Sequence, residues 1–151
     1  MKSRIAGTLV LLTLALGCSS SKLPGGMEEP EIQVAQVGDY TFSLRYRGPI
    51  TVGLRLAVAN PSEEPILLKQ VSFANIGEGA YFVRTEPHYI NQEIPPGKTL
   101  ITDLSIPAFS VGGPTSSRYP VTLRGMAYFE SDLGNFQRSF IGNFRQDLGM
   151  Q

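Results

Sequence analysis

Cys18 is the residue whose type and position most directly predict chemistry. It is the only cysteine in the 151 residues, and Gly17 directly precedes it. Upstream, residues 5–16 carry no charge, and Lys2 and Arg4 supply a short positive region. A positive start, a short apolar core and a small residue before the cut are the parts of a secretory signal. As a helix the apolar run would cover about 18 Å, which is too short to span a hydrocarbon core of roughly 30 Å.

The sequence Ala15-Leu16-Gly17-Cys18 resembles the lipobox that bacterial lipoprotein signal peptidase reads. The position three residues before the cysteine is usually Leu in that motif, and here it is Ala15. The resemblance implies cleavage between Gly17 and Cys18 and transfer of a diacylglyceryl group to the Cys18 thiol. It therefore predicts a signal peptide over residues 1–17 and a membrane partner held through lipid on Cys18. The alternative is an ordinary secretory signal followed by a cysteine without a function.

Composition predicts one domain behind a tether. Residues 18–30 are rich in Ser, Gly, Pro and charge and have no hydrophobic period, so we expect a lipidated cysteine and a flexible tether there. Residues 31–151 are long enough for one domain. Removal of Lys2 and Arg4 with the signal leaves a net charge of −2, which gives no basic surplus for nucleic acid. The single cysteine excludes an internal disulfide, and an exported protein without disulfides fits a bacterium better than a eukaryotic secretory route.

Hydrophobic residues alternate with polar ones throughout residues 31–151, and this period of two predicts β-strands. The clearest runs are at residues 40–46, 52–58 and 99–108, and the run at residues 121–129 is expected to break near Gly125. The expected strand regions are 32–46, 52–58, 66–76, 81–83, 88–94, 99–108, 121–129 and 136–144. Seven or eight short antiparallel strands favour an immunoglobulin-like or fibronectin-like β-sandwich, with a closed barrel as the structural alternative.

Turn residues separate these runs. We interpret Asn60-Pro61 as a hairpin turn, because proline cannot donate to a sheet ladder and Asn favours the first turn position. A loop that contacts a ligand is the alternative at this place. Residues 110–120 are expected to cross between the sheets. The further turns are Arg47-Gly48-Pro49, Gly77-Glu78-Gly79, Pro95-Pro96-Gly97 and Asp132-Leu133-Gly134-Asn135.

Residues 54–71, LRLAVANPSEEPILLKQV, resemble the water-stress and hypersensitive response domain of LEA14-like proteins. In that family an alternating strand ends in Asn-Pro-Asn and a proline-led apolar run follows; here Ser62 replaces the second Asn. The proline-rich turn at residues 93–97 resembles a second landmark of the family. The resemblance extends over about residues 40–144 and implies an immunoglobulin-like or fibronectin-like sandwich, with Asn60 and Pro61 at its characteristic turn.

Motifs for catalysis or cofactor binding are absent from the sequence. His88 is the single histidine, no Gly-x-Ser-x-Gly elbow occurs, and neither a phosphate-binding loop nor a dinucleotide fingerprint is present. Counting residues does not exclude a Ser-His-Asp triad. The pairs Glu28-Glu29 and Glu63-Glu64 are adjacent, so their side chains diverge on an extended chain and form no acid–base couple. We expect no enzyme activity, no cofactor and no metal.

The sequence thus predicts a non-catalytic envelope lipoprotein whose sandwich binds an envelope protein of unknown identity or serves as a stress-protective or accessory subunit. In Tyr81-Phe82 and Tyr128-Phe129 one ring should point inward and the other outward, where it could contact a partner. The alternative function is a carrier of an apolar ligand or lipid between the two sheets. Ser19 follows the cysteine where Asp would favour inner-membrane retention, so we expect residence in the outer membrane, facing the periplasm.

Overall fold

The computed structural model describes residues 23–37, 48–77, 81–110 and 121–144, which form two packed antiparallel sheets. Sheet I has the strand order β1-β2-β6-β4, and sheet II has the order β5-β3-β7-β8. The strands are β1 (Glu31–Gln36), β2 (Gly48–Ala59), β3 (Ile66–Asn75), β4 (Tyr81–Val83), β5 (His88–Ile94), β6 (Thr99–Ser110), β7 (Val121–Ser131) and β8 (Gly134–Phe144). The predicted antiparallel β-sandwich is confirmed. No pairing between described strands joins the two sheets, so the barrel alternative is wrong for this part of the chain.

Alternation along the strands explains the core, because successive side chains point to opposite faces of a sheet. On β2, Leu54 and Leu56 are fully buried whereas Arg55 between them is exposed. Arg55 pairs across the outer face of sheet I with Asp103 of β6 through two hydrogen bonds of 2.7 Å. The largest completely buried side chains come from both sheets and fill the space between them: Tyr81, Phe73, Phe129, Leu54, Leu56, Ile66, Leu68, Ile94, Ile106, Leu123 and Val52.

Two details of the expected core differ in the structure. Leu104, which alternation places in the core, is only half-buried, because β4 covers the last three residues of β6 and stops short of it. The break expected near Gly125 is absent, since β7 is continuous from Val121 to Ser131. The ring of Phe140 on β8 covers Gly125, and a Cβ atom at Gly125 would lie 2.1 Å from the Phe140 Cζ atom. A cross-strand aromatic ring therefore takes the place of the missing side chain.

The connections reveal a topology that local turn chemistry did not predict. β2 and β3 belong to different sheets, so the expected hairpin at Asn60-Pro61 is wrong and this turn is a corner between sheets. Residues 95–97 likewise lead from sheet II to sheet I. The expected crossing after β6 is confirmed, because β6 lies in sheet I and β7 in sheet II, although residues 111–120 lie outside the described ranges. The second part of the first predicted strand region, residues 40–46, also lies outside them.

The described part of the predicted tether is packed against the sandwich. Leu23 is buried, and the short 3-10 turn Pro24–Gly26 contacts the β7–β8 turn, where Leu133 lies across Gly25. Met27 packs on the core. Glu29 pairs with Arg138 of β8, with a Nη1–Oε1 distance of 2.6 Å, and so bridges the side of the sandwich between β1 and β8. Residues 23–30 are therefore held by the domain and do not extend freely from it.

Leu56→Ala should destabilise the protein far more than Arg55→Ala. Leu56 is fully buried, and truncation of a buried Leu costs about 2–5 kcal/mol of unfolding free energy. Arg55 is exposed and its ion pair is screened by solvent, so its removal should change stability little. Thermal unfolding of the two purified variants beside the wild type measures the difference. A greater loss for Arg55→Ala would mean that the inward and outward faces of β2 are exchanged.

Candidate functional site

The predicted site residues and the single histidine lie in separate places. Gly17 and Cys18 lie outside the described residues. Asn60 and Pro61 form the corner between β2 and β3. His88 begins β5 in sheet II. The structure therefore brings none of the described candidates together, and each has to be considered by its own contacts.

The backbone of Asn60 extends the pairing of β2 with the turn before β6. Its N–H donates to the Lys98 carbonyl over 2.9 Å, and its carbonyl accepts from the Gly97 N–H over 2.8 Å. Gly97 has a φ of 66°, a left-handed conformation that glycine adopts without strain. The Asn60 backbone thus fixes the two corners, at residues 60–62 and 95–98, against each other.

The side chain of Asn60 joins the two sheets. It is 1% exposed. Its Nδ2 donates to the carbonyl of Glu64, 2.8 Å away, and to that of Ile94, 2.9 Å away, at the end of β5. Its Oδ1 accepts from the N–H of Ser62 at 3.1 Å and from the Ser62 hydroxyl at 2.6 Å. Every donor and acceptor of the amide is therefore engaged within the fold.

This bonding pattern gives Asn60 a structural role. A buried amide whose two donors and oxygen are satisfied by the protein has nothing left to offer a ligand. Pro61 is exposed beside it and has no N–H to donate. The corner therefore holds strand ends from both sheets in place. Asn60 has no free polar group with which it could contact a ligand, so the alternative of a ligand-binding loop is not supported at this residue.

His88 is a half-buried ring in an apolar setting. Its ring contacts Phe73 edge-on, with a centroid distance of 6.3 Å, and no described residue bonds its buried Nε2 atom. Burial lowers the pKa of His88, while the nearby charge of Glu86 opposes that shift. Among residues 23–37, 48–77, 81–110 and 121–144, no group of three His, Cys, Asp or Glu side chains is placed to hold a metal ion.

An exposed apolar surface lies on sheet I at the end opposite Asn60. Pro49 of β2, Phe109 of β6 and Phe82 of β4 stand side by side across three strands. Phe82 is 53% exposed and Phe109 is 48% exposed. With Pro107 they line an open groove of about 550 Å³. The expected division of Tyr81-Phe82 is confirmed, because Tyr81 is buried and Phe82 points outward.

Comparison with known proteins supports the fold and no more. No protein-family model and no curated protein sequence matches the chain. A solved structure from Bordetella pertussis, described as ApaA, is similar over 78% of this chain and 92% of its own, with a TM-score of 0.52 and 14% identity. The GAE domain of yeast GGA1 matches over 76% of this chain and 90% of its own, with a TM-score of 0.46 and 14% identity.

Asn60→Ala should lower the unfolding free energy by about 1–3 kcal/mol, because the buried Ile94 carbonyl loses the Asn60 donor. The Glu64 carbonyl keeps the Ser62 hydroxyl as a donor, 2.8 Å away. Asn60→Asp should be at least as damaging, since a carboxylate would place oxygen against both carbonyls. Denaturant unfolding measures both variants. Glu63→Ala, an exposed neighbour, is the matched control and should behave as the wild type; an equal loss there would contradict the role given to Asn60.

His88 should make stability depend on pH in a defined direction. Because burial lowers its pKa in the folded state, the unfolded chain takes up the proton more readily, near the ordinary value of 6.5. The stability that His88 contributes is therefore complete above that pH and is lost as the pH falls below it. His88→Gln should weaken this acid sensitivity. Melting temperatures of wild type and variant at about pH 8 and about pH 5.5 test it, and identical differences in both proteins would contradict the expectation.

Proposed function

We propose that the protein is a lipid-anchored, non-catalytic β-sandwich module of a bacterial cell envelope. The observation that carries the proposal is the position of Cys18, the only cysteine, after Gly17 and a short uncharged apolar run. The thiol is the group that a diacylglyceryl chain would modify. Stable anchoring requires a second acyl chain or an equivalent attachment, which a diacylglyceryl group supplies. Among the described residues no helix is long and apolar enough to cross a membrane.

The packed N-terminal segment supports a domain held close to the bilayer. Leu23 is already buried, and it follows Cys18 by five positions. Five residues reach at most about 18 Å when fully extended. The segment meets the sandwich at the β7–β8 turn, at the same end as Asn60. In the anchored protein this end would face the membrane, and the Phe82 and Phe109 surface would lie at the far end.

A role in binding suits this arrangement better than a role in carrying lipid. The space between the sheets is occupied by large buried side chains, including Tyr81, Phe73 and Phe129. An apolar ligand between the sheets would have to displace them. The exposed rings lie on the outside of sheet I instead, where a protein partner could reach them. The resemblance to LEA14-like domains agrees with a non-enzymatic accessory or stress-protective role.

Cys18→Ala should abolish acylation and release the protein from the membrane, or leave it unprocessed. Metabolic labelling with palmitate and partition between detergent and aqueous phases measure the change in cells. Ser20→Ala is the matched control and should remain labelled. On a density gradient the wild type should be recovered with the outer membrane, in keeping with Ser19 beside the lipidated residue. Unchanged labelling of the Cys18 variant would refute the anchor, and recovery in the inner-membrane band alone would refute the sorting.

A further inference from the structure

Among the described residues, β6 has an unpaired edge along most of its length. On one side, β2 pairs with every residue of β6. On the other side, β4 pairs only with the last three residues of β6, and one further bond joins the Arg84 N–H to the Pro107 carbonyl over 3.3 Å. Within the described ranges, nothing pairs with the outer side of β6 over residues 99–106. About eight residues of extended chain span roughly 27 Å.

The backbone groups that face this edge follow from the hydrogen bonds nearby. The Gly53 carbonyl accepts from Val37 on the β1 side, over 2.9 Å, so the next residue of β2, Leu54, points toward β6. Leu54 lies opposite Leu104, whose N–H and carbonyl therefore point back to β2. Directions alternate along a strand, so the outward N–H and carbonyl groups are those of Ile101, Asp103 and Ser105.

We propose that this edge of β6 binds an extended segment of another protein, which adds to sheet I as a further strand. Unpaired backbone donors and acceptors in a straight row are satisfied by an extended peptide and by few other ligands. The proposal goes beyond the anchored module described above and does not depend on lipid at Cys18. It assigns the partner-binding role to the backbone of Ile101, Asp103 and Ser105.

The side chains beside the edge favour an apolar, alternating partner strand. Leu100 and Leu104 are half-buried on the inner flank and pack against the core, so an added strand would cover them. On the outer flank Ile101 is 63% exposed. A segment with apolar residues on both faces near these positions would therefore bury surface on each side of the sheet.

The charge of the edge distinguishes a foreign strand from a second copy of this chain. Two copies paired by twofold symmetry over this edge would place either Asp103 or Ile101 opposite Asp103, so a second copy offers this carboxylate no opposite charge. Hydrogen bonds from Arg55 lower the pKa of Asp103, so this carboxylate remains charged. A partner segment with Lys or Arg opposite Asp103 complements it.

Edge strands normally carry features that prevent unintended pairing with other strands, and β6 has few of them. Proline, lysine and bulges are the usual devices against unintended pairing. β5, the edge of sheet II on the same side, is irregular at Asn91, which has a φ of 50°. On β6 the one proline, Pro107, lies beyond the open stretch, and residues 99–106 contain neither proline nor lysine. Asp103 is the only charge in the stretch.

Pro107 also indicates which substitution would test the proposed binding edge. It belongs to the outward-facing series, so its missing N–H interrupts no bond to β2. Ser105→Pro would remove an outward N–H in the same way while leaving the pairing with β2 intact, and Ser105→Ala keeps that N–H as the matched control. A photocrosslinking residue is placed at Ile101 of the full-length protein in cells. The control position is Ile141 on sheet II, which is 61% exposed.

We expect a discrete adduct with a different protein from position 101 and none from position 141. Ser105→Pro should reduce this adduct about tenfold, whereas Ser105→Ala should retain it. An adduct of twice the chain's mass would show a second copy on the edge and overturn the proposal. A crosslink to residues 111–120 of the same chain would overturn it too. So would the absence of an adduct at position 101, or an adduct that Ser105→Pro does not affect.

If Ser105→Pro fails to fold, hydrogen exchange in the isolated full-length protein tests whether the edge of β6 is unpaired. The amides of Ile101, Asp103 and Ser105 should exchange at least about a hundredfold faster than those of Leu100, Thr102 and Leu104, which bond to β2. Equal protection of the two series would show that the chain covers its own edge, and the site would then not exist.

Discussion

Two sheets can bury a common core only if their strand ends stay aligned, and the buried amide of Asn60 aligns them at one end. Its backbone continues the pairing between β2 and the turn into β6, both in sheet I. Its side chain holds the Glu64 carbonyl before β3 and the Ile94 carbonyl at the end of β5, both on the side of sheet II. The positions of two connections, β2–β3 and β5–β6, therefore depend on one residue whose side chain has four satisfied hydrogen bonds.

The side of the sandwich between β1 and β8 is joined by a different kind of interaction. Glu29 and Arg138 form an ion pair across it, and both side chains are largely shielded from solvent. Arg138 lies on the inward series of β8, opposite Ala127, so its charge would be poorly placed without a carboxylate nearby. The N-terminal segment that supplies Glu29 is thus a part of the fold, although its composition resembles that of a linker.

The sequence predicted strands well because burial on one face of a sheet imposes a period of two. β4 and β5 have the bounds expected from the pattern, and β2 and β6 extend the expected runs by a few residues. The pairing of the strands could not be predicted from the sequence, because Asn-Pro has the same local conformational preference in a hairpin and in a corner between sheets. The half-burial of Leu104 and the continuity of β7 at Gly125 depend on neighbouring strands, β4 and β8, which alternation does not identify. The unpaired edge of β6 could not be predicted for the same reason, because the pairing decides which backbone groups face outward. Cys18, in contrast, is recognisable from the residues around it alone.

The distance along the chain between paired strands has a kinetic consequence. Arg55 and Asp103, which meet across β2 and β6, are 48 positions apart. Most of the sheet pairs join strands from distant parts of the chain, and such topologies fold slowly because long loops must close before their contacts form. A chain that must cross a membrane unfolded gains from such a delay, since premature folding would block its passage. In the exported lipoprotein proposed above, connections between the sheets that slow folding would keep the newly made chain competent for export.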